Sequence, residues 1–157
     1  MKHIFPVLRL WVASALLLGT TALTSTTASA QLKVVTSTTD LYDIAREVGG
    51  DLVKATHIGQ GYEDPHFVQP KPSFILQLRQ ADVWAYVGLD LETGWMPLLI
   101  DGARNNKIRT GAPGHINAST VIPVLDANRA VDRSQGDVHP LGNPHYWLDP
   151  NNARKIA

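Results

Sequence analysis

Residues 32–58 read LKVVTSTTDLYDIAREVGGDLVKATHI, and the architecture follows from their order. Leu32, Val34, Val35 and Thr36 make a short, β-branched run that reads as a strand. Ser37, Thr38, Thr39 and Asp40 come next, and then Leu41, Ile44, Ala45 and Val48 at spacings of three and four. That pattern is a capped amphipathic helix, with Asp40 or Thr39 as its N-cap and Gly49-Gly50 as its stop. Residues 52–58 alternate as a second strand. A strand–helix–strand unit of this kind closes as a right-handed crossover, so the two strands are expected to be parallel neighbours in one sheet.

Downstream, residues 59–72 contain Gly59, Gly61, Pro65, Pro70 and Pro72, too many breakers for regular structure, and read as a loop. Pro72 opens a helix whose Phe74, Ile75 and Leu78 share a face, and residues 83–87 (VWAYV) read as a third, fully buried strand. Residues 91–100 predict a third helix, against which Gly94 and Pro97 count. Residues 121–125 (VIPVL) predict a fourth strand at an edge, since Pro123 cannot donate to a ladder. The fold class is therefore α/β, a mostly parallel sheet flanked by helices. Asp149-Pro150 is a cap followed by proline at the first helical position, yet the helix it starts meets the last residue, Ala157, without a stop signal. The expectation is a fragment, cut inside that helix.

The sequence has 157 residues, 44% of them apolar and 18% charged, enough to bury one modest core. Its first 30 residues read as an export leader: Lys2, His3 and Arg9 are the basic region, residues 10–18 the apolar run, and Ala28-Ser29-Ala30 the cleavage site, giving a mature start at Gln31. Gly19-Thr20-Thr21 interrupts the apolar run before the roughly 20 residues a membrane span takes. Without Lys2 and Arg9 the balance is 12 basic against 14 acidic residues. No clustered basic surface is legible, which argues against a nucleic-acid partner. With no cysteine, neither a disulfide nor a lipid-modified cysteine is available within these residues. An exported, monomeric, periplasmic protein is expected.

Histidine carries the chemistry. His57 lies in an alternating strand pattern and His115 in a glycine-flanked turn, and both read as structural. His66 and His145 each follow a proline, in Glu63-Asp64-Pro65-His66 and Gly142-Asn143-Pro144-His145, on loops next to an α/β sheet. Proline restricts its own backbone and that of the residue before it, so these imidazoles are held with less freedom than ordinary loop residues. Neutral imidazole is the commonest side-chain ligand of divalent transition metals. His139 is a candidate third, accessory ligand. Glu63 and Asp64 could orient His66 through its other ring nitrogen, or simply cap the loop. Asp149 reads as a helix cap, and Trp84, Trp95 and Trp147 as packing.

These motifs, in this order, resemble the periplasmic substrate-binding subunits of ABC importers for zinc and manganese, the cluster A-I metal-binding family. The resemblance runs from about Lys33 to Ala157 and is most specific at Asp64-Pro65-His66, at Ala81-Asp82 with Gly88-Leu89, and at Pro144-His145 with Trp147-Leu148-Asp149-Pro150. It implies that residues 31–149 form the N-terminal lobe of a two-lobe protein, that 150–157 begin the inter-lobe helix, and that His66 and His145 are metal ligands. It also implies further ligands from a second lobe. Relatives specific for zinc can carry a histidine-rich loop between the two ligands; the corresponding residues 126–139 hold one histidine and three aspartates.

Three functions follow as expectations. The first is capture of Zn2+, with Mn2+ as the alternative, and delivery to an ABC permease without catalysis. The second is an oxyanion receptor for molybdate or tungstate, using Thr36–Thr39 ahead of a helix N-terminus. The third is a small zinc hydrolase with Glu63 as base, although no HExxH spacing is present.

Overall fold

The computed structural model describes residues 30–127 and 138–157. The expected leader therefore lies outside the described residues, apart from Ala30, as does most of the segment between Asp126 and His139.

The order is β1 (Leu32–Thr36), α1 (Thr39–Gly49), β2 (Val53–His57), α2 (Pro72–Arg79), β3 (Val83–Tyr86), α3 (Met96–Ala103), β4 (His115–Asn117) and α4 (Pro150–Ile156), with short 3-10 turns between. The strands form one sheet in the order β2-β1-β3-β4. Every pairing is parallel: Val34 sits opposite Ala55 in β2 and Val83 in β3, and Trp84 opposite His115 in β4.

Alternation along β1 divides the core. Val35 faces a cluster with Leu78 of α2, Trp84 of β3, Leu99 of α3 and Trp95, all buried. Val34 faces the other way, towards Leu41, Ile44 and Val48 of α1 across an apolar groove that Ile156 of α4 also lines. A second cluster of Leu41, Val87, Leu91, Ala118 and Tyr146 closes the end of that face. Helices thus cover both faces, as parallel strands require.

Four expectations need correction. The α1 cap is Thr38, whose side chain accepts from the Leu41 N–H, one residue ahead of Thr39 and two ahead of Asp40, the two expected. The third helix starts at Met96 rather than Leu91, because Pro97 occupies its first turn, where a missing N–H costs nothing, and it runs on to Ala103. Residues 121–125 do not form a strand; the fourth strand is His115–Asn117, so His115 belongs to β4 rather than to a turn. β3 is only partly buried, with Trp84 alone fully enclosed. The other elements fall within a residue or two of expectation. Asp149 caps α4 through the Asn151 N–H at 2.8 Å. No helix among the described residues is long and apolar enough to cross a membrane.

Candidate metal centre

In an open parallel sheet, ligands meet the loops that leave the carboxyl ends of the strands. The loop after β2 carries a 3-10 turn, Pro65–Phe67, and Asp64 is its cap. One Asp64 oxygen, Oδ1, accepts both the His66 backbone N–H at 3.0 Å and the His66 ring Nδ1–H at 2.6 Å. The loop is pinned to the core by Trp95, whose indole N–H donates to the Pro65 carbonyl at 2.9 Å. The His66 side chain is 13% exposed.

The second motif repeats this construction. His145 caps the 3-10 turn Tyr146–Leu148. Asn143 Oδ1 accepts the His145 backbone N–H at 2.9 Å and lies 3.1 Å from its Nδ1. An oxygen that already accepts from a backbone N–H can only accept from the ring too, so Nδ1 of His145 carries the proton. The same reasoning fixes His66. In both neutral rings the lone pair is therefore on Nε2, the nitrogen a metal would take.

The two loops converge. Ring centroids lie 5.7 Å apart for His66 and His145, 5.0 Å for His66 and His139, and 6.4 Å for His139 and His145. His66 Nε2 and His139 Nε2 are 2.8 Å apart, a hydrogen bond in which His139 donates when His66 is neutral. Two nitrogens sharing one tetrahedral zinc ion at about 2.0–2.1 Å stand about 3.3 Å apart, so a proton bridges a gap that a cation fills after a shift of about half an ångström. Among the described residues no group of three His, Cys, Asp or Glu already stands in metal-holding geometry. The cluster is a set of ligand-type groups gathered at one place, short of a closed shell.

Charge around the cluster favours a cation. The His66 backbone N–H, then its ring, hold the Asp64 carboxyl below the usual carboxylate range. Trp147 stacks obliquely on His145 at 5.3 Å. Of the two acids flanking His66, Asp64 is the orienting one; Glu63 caps the loop by accepting from the Gln60 N–H at 3.1 Å. Asn143 was not singled out from sequence, although the recurrence of an Asx-Pro-His tripeptide was there to be seen.

His57 and His115 stay apart, with no ring contact to the three among the described residues. His57 donates through Nδ1 to the Gly59 carbonyl at 2.9 Å and meets Tyr42 edge-on, while His115 donates to the Ile108 carbonyl at 2.8 Å. Three of the four residues of the Thr36–Thr39 segment are also committed. The Thr36 hydroxyl donates to the Thr38 carbonyl, Thr38 caps α1, and Ser37 Oγ accepts from the Val87 N–H at 3.3 Å. Beside it, the cleft of about 280 Å³ at the start of α1 is lined by Asp40 and Glu63, which repel an anion.

A parallel sheet with ligand-type side chains gathered on loops at its carboxyl edge is the arrangement in which open α/β folds place their ligand sites. Residues 34–157 match the family described as "ZnuA: Zinc-uptake complex component A periplasmic", and the chain belongs to that family. It is 32% identical over 167 residues to the metal ABC transporter substrate-binding lipoprotein FimA of Streptococcus parasanguinis, covering 100% of this chain and 50% of that protein. It is 32% identical over 166 residues to the manganese ABC transporter substrate-binding lipoprotein PsaA of Streptococcus pneumoniae, with the same coverage of each. Among solved structures it resembles Zn(II)-bound AdcA from Streptococcus pneumoniae, with 25% identity and a TM-score of 0.58 over 81% of this chain and 24% of that one. It also shares the fold of ZnuA, at 22% identity and a TM-score of 0.60 over 81% of this chain and 45% of that one. The chain spans about half the length of the first two relatives. The first two relatives are named as ABC transporter substrate-binding lipoproteins.

Proposed function

We propose that this chain is the N-terminal lobe, residues 31–149, of a periplasmic protein that captures Zn2+, with Mn2+ as the alternative cargo, and hands it to an ABC permease without making or breaking a covalent bond. His66 and His145 are the lobe's metal ligands through Nε2, and His139 an accessory one. Residues 150–157 begin the helix towards a second lobe, which supplies the remaining ligands, and the protein works as a monomer. The observation that carries this reading is the duplicated device: two imidazoles from separate loops, each oriented by an Asx oxygen two residues upstream so that their Nε2 lone pairs belong to one neighbourhood. Nitrogen ligands lean towards zinc, and added carboxylates would lean towards manganese.

The oxyanion reading loses the Thr36, Ser37 and Thr38 hydroxyls to internal hydrogen bonds and meets two carboxylates at the cleft beside Thr39. In the hydrolase reading, the base Glu63 already spends one carboxyl oxygen on the loop backbone. Thermal unfolding of the full-length protein with Zn2+, Mn2+ or tungstate separates the classes, because a ligand that binds only the folded state raises the Tm. The expected order is Zn2+, then Mn2+, with no shift from tungstate. Protection by tungstate alone overturns the metal reading, and ester or peptide hydrolysis abolished by Glu63→Gln overturns transport.

A further inference from the structure

Residues 88–90 run through three successive positive φ angles, 81° at Gly88, 51° at Leu89 and 69° at Asp90. Glycine accepts this region freely, whereas Leu89 and Asp90 enter it against the steric preference of L residues. A backbone of that kind persists only where its surroundings over-determine it. Here the surroundings centre on Glu92, which is 2% exposed. Its Oε1 accepts from the Val87 N–H at 2.7 Å and its Oε2 from the Gly88 N–H at 3.0 Å. Ser37 Oγ accepts from the same Val87 N–H at 3.3 Å, on the same strand end. Among the described residues, the hydrogen-bond partners of this buried acid are backbone N–H groups rather than a cation.

Val87 is gripped on its other side too. Its carbonyl accepts the Tyr146 hydroxyl at 2.6 Å, and Tyr146 is buried. The Tyr146 carbonyl in turn accepts from Asn152 Nδ2 at 3.1 Å and from the Asp149 N–H at 3.2 Å. Pro144, on the far side of His145, is fully buried. The His145 backbone is thus suspended between two anchored neighbours, one of them tied by a single phenolic hydrogen bond to the strand end that Glu92 fixes.

Resting on the metal-binding reading, we propose that Glu92 and Tyr146 are positioning residues for His145. The carboxyl sets the Val87–Gly88 backbone, the phenol reads that setting through the Val87 carbonyl, and the imidazole next in sequence is thereby held opposite His66. Neither residue touches the metal. What they govern is the geometry of the ligand field and hence the affinity, as the supporting hydrogen bonds of metal ligands generally do.

The test uses Co2+ as a spectroscopic probe in the full-length protein, comparing wild type with Tyr146→Phe, Glu92→Gln, His145→Ala and Leu99→Ala. Tyr146→Phe removes one oxygen and nothing else, so it reports even if Glu92→Gln does not fold. Tyr146→Phe is expected to weaken Co2+ binding about tenfold and to move the visible ligand-field bands. Glu92→Gln, where folded, is expected to do the same. Leu99→Ala, in the opposite core cluster, is expected to lower the Tm without moving the bands. If Tyr146→Phe keeps wild-type bands and affinity while His145→Ala changes both, the positioning role is overturned and the metal site stands. If His145→Ala changes neither, the metal reading itself falls, and this inference with it.

Discussion

Asp64 donates nothing to His66 and accepts from it twice, through one oxygen, at 3.0 Å from the backbone N–H and 2.6 Å from the ring. That arrangement fixes three things together: the turn at the C-terminal edge of the sheet, the rotamer of the imidazole and the nitrogen that carries its proton. Asn143 performs the same operation on His145. Proline between the two residues is what makes it work, because the residue before proline is pushed to extended backbone, from which an Asx side chain can reach round to the N–H two residues on. The orientation of each imidazole is thus encoded within three consecutive residues, while the meeting of the two imidazoles is encoded by the sheet.

The first consequence concerns the histidines themselves. His66→Ala or His145→Ala is expected to weaken zinc binding by more than the roughly 10- to 100-fold typical of losing a ligand's supporting hydrogen bond. His57→Ala and His115→Ala should leave affinity nearly unchanged, since their ring nitrogens serve the Gly59 and Ile108 carbonyls. Calorimetric titration of the four variants checks this, and equal losses across all four would contradict it.

The supporting oxygens give the second. Asp64→Ala and Asn143→Ala each free a ring to rotate and to change tautomer, and should cost about 10- to 100-fold in affinity with every ligand still present. Asp64→Ala should be the more damaging, because it also removes a negative charge beside the cation. Competition with a zinc-binding dye would measure both, and wild-type affinity in Asn143→Ala would show that His145 is oriented by something else.

Trp95 supports a third. Its indole N–H is the tether between the α3 side of the core and the loop that carries His66. Trp95→Phe keeps most of the packing but leaves the Pro65 carbonyl without that donor, a cost of about 1–3 kcal/mol. Denaturant unfolding should register this loss, together with a smaller drop in zinc affinity than either histidine variant causes. Unchanged stability would mean the tether is dispensable.

How much of this could be read beforehand depends on whether a feature is local. β1, α1, β2 and α2 were legible because strand patterning and helical spacing lie within a few residues of one another, as in Leu41 to Val48, although the α1 cap itself fell at Thr38 and not at Thr39 or Asp40. β4 was not, since the three residues His115–Asn117 become a strand only by pairing with Trp84 to Tyr86 far back in the chain. The opposite error occurred at 121–125, an apolar run whose Val121 is 53% exposed and which finds no sheet partner among the described residues. Ligand types and Asp64 were legible as candidates because their motifs are contiguous. Glu92 was not, because nothing in LETGW announces that its carboxyl will be buried against Val87 and Gly88.

A fourth prediction tests the lead into β4. A Cβ at Gly114 would press on the backbone carbonyl oxygens of Asp82 and Lys107, neither of which can swing aside as a side-chain tip could. Gly114→Ala should therefore destabilise by about 1–3 kcal/mol, as overpacking does. Gly50→Ala makes the contrast: it has open space around it but a φ of 48° with ψ −131°, outside the left-handed helical region, so its cost of about 1–3 kcal/mol is backbone strain alone. Adding Asp82→Ala should leave the cost at Gly114 in place, because the obstructing atom is main chain.

Asp82 itself ties the start of β1 to the approach to β4, and its acid titration gives the last test. Its Oδ1 takes Lys107 Nζ at 2.5 Å, its Oδ2 accepts the Lys33 N–H at 2.9 Å, and its own N–H donates to the Lys33 carbonyl at 2.8 Å. The hydrogen bond from Lys107, and after it that from the Lys33 backbone, hold this carboxyl below its ordinary value of 3.8. A depressed folded-state value means the native protein binds the proton less tightly than the unfolded chain does. The stability this group contributes is therefore fully present above 3.8 and drains away as pH falls through the lowered folded value. With Lys107 67% exposed, the ion pair is screened and worth at most about 1 kcal/mol. Asp82→Asn should accordingly be less stable than wild type at neutral pH by about 1 kcal/mol, and the two unfolding curves should converge as acid protonates Asp82 in wild type. A gap that held constant down to the acid limit would assign the loss to packing around Asp82 and not to its charge.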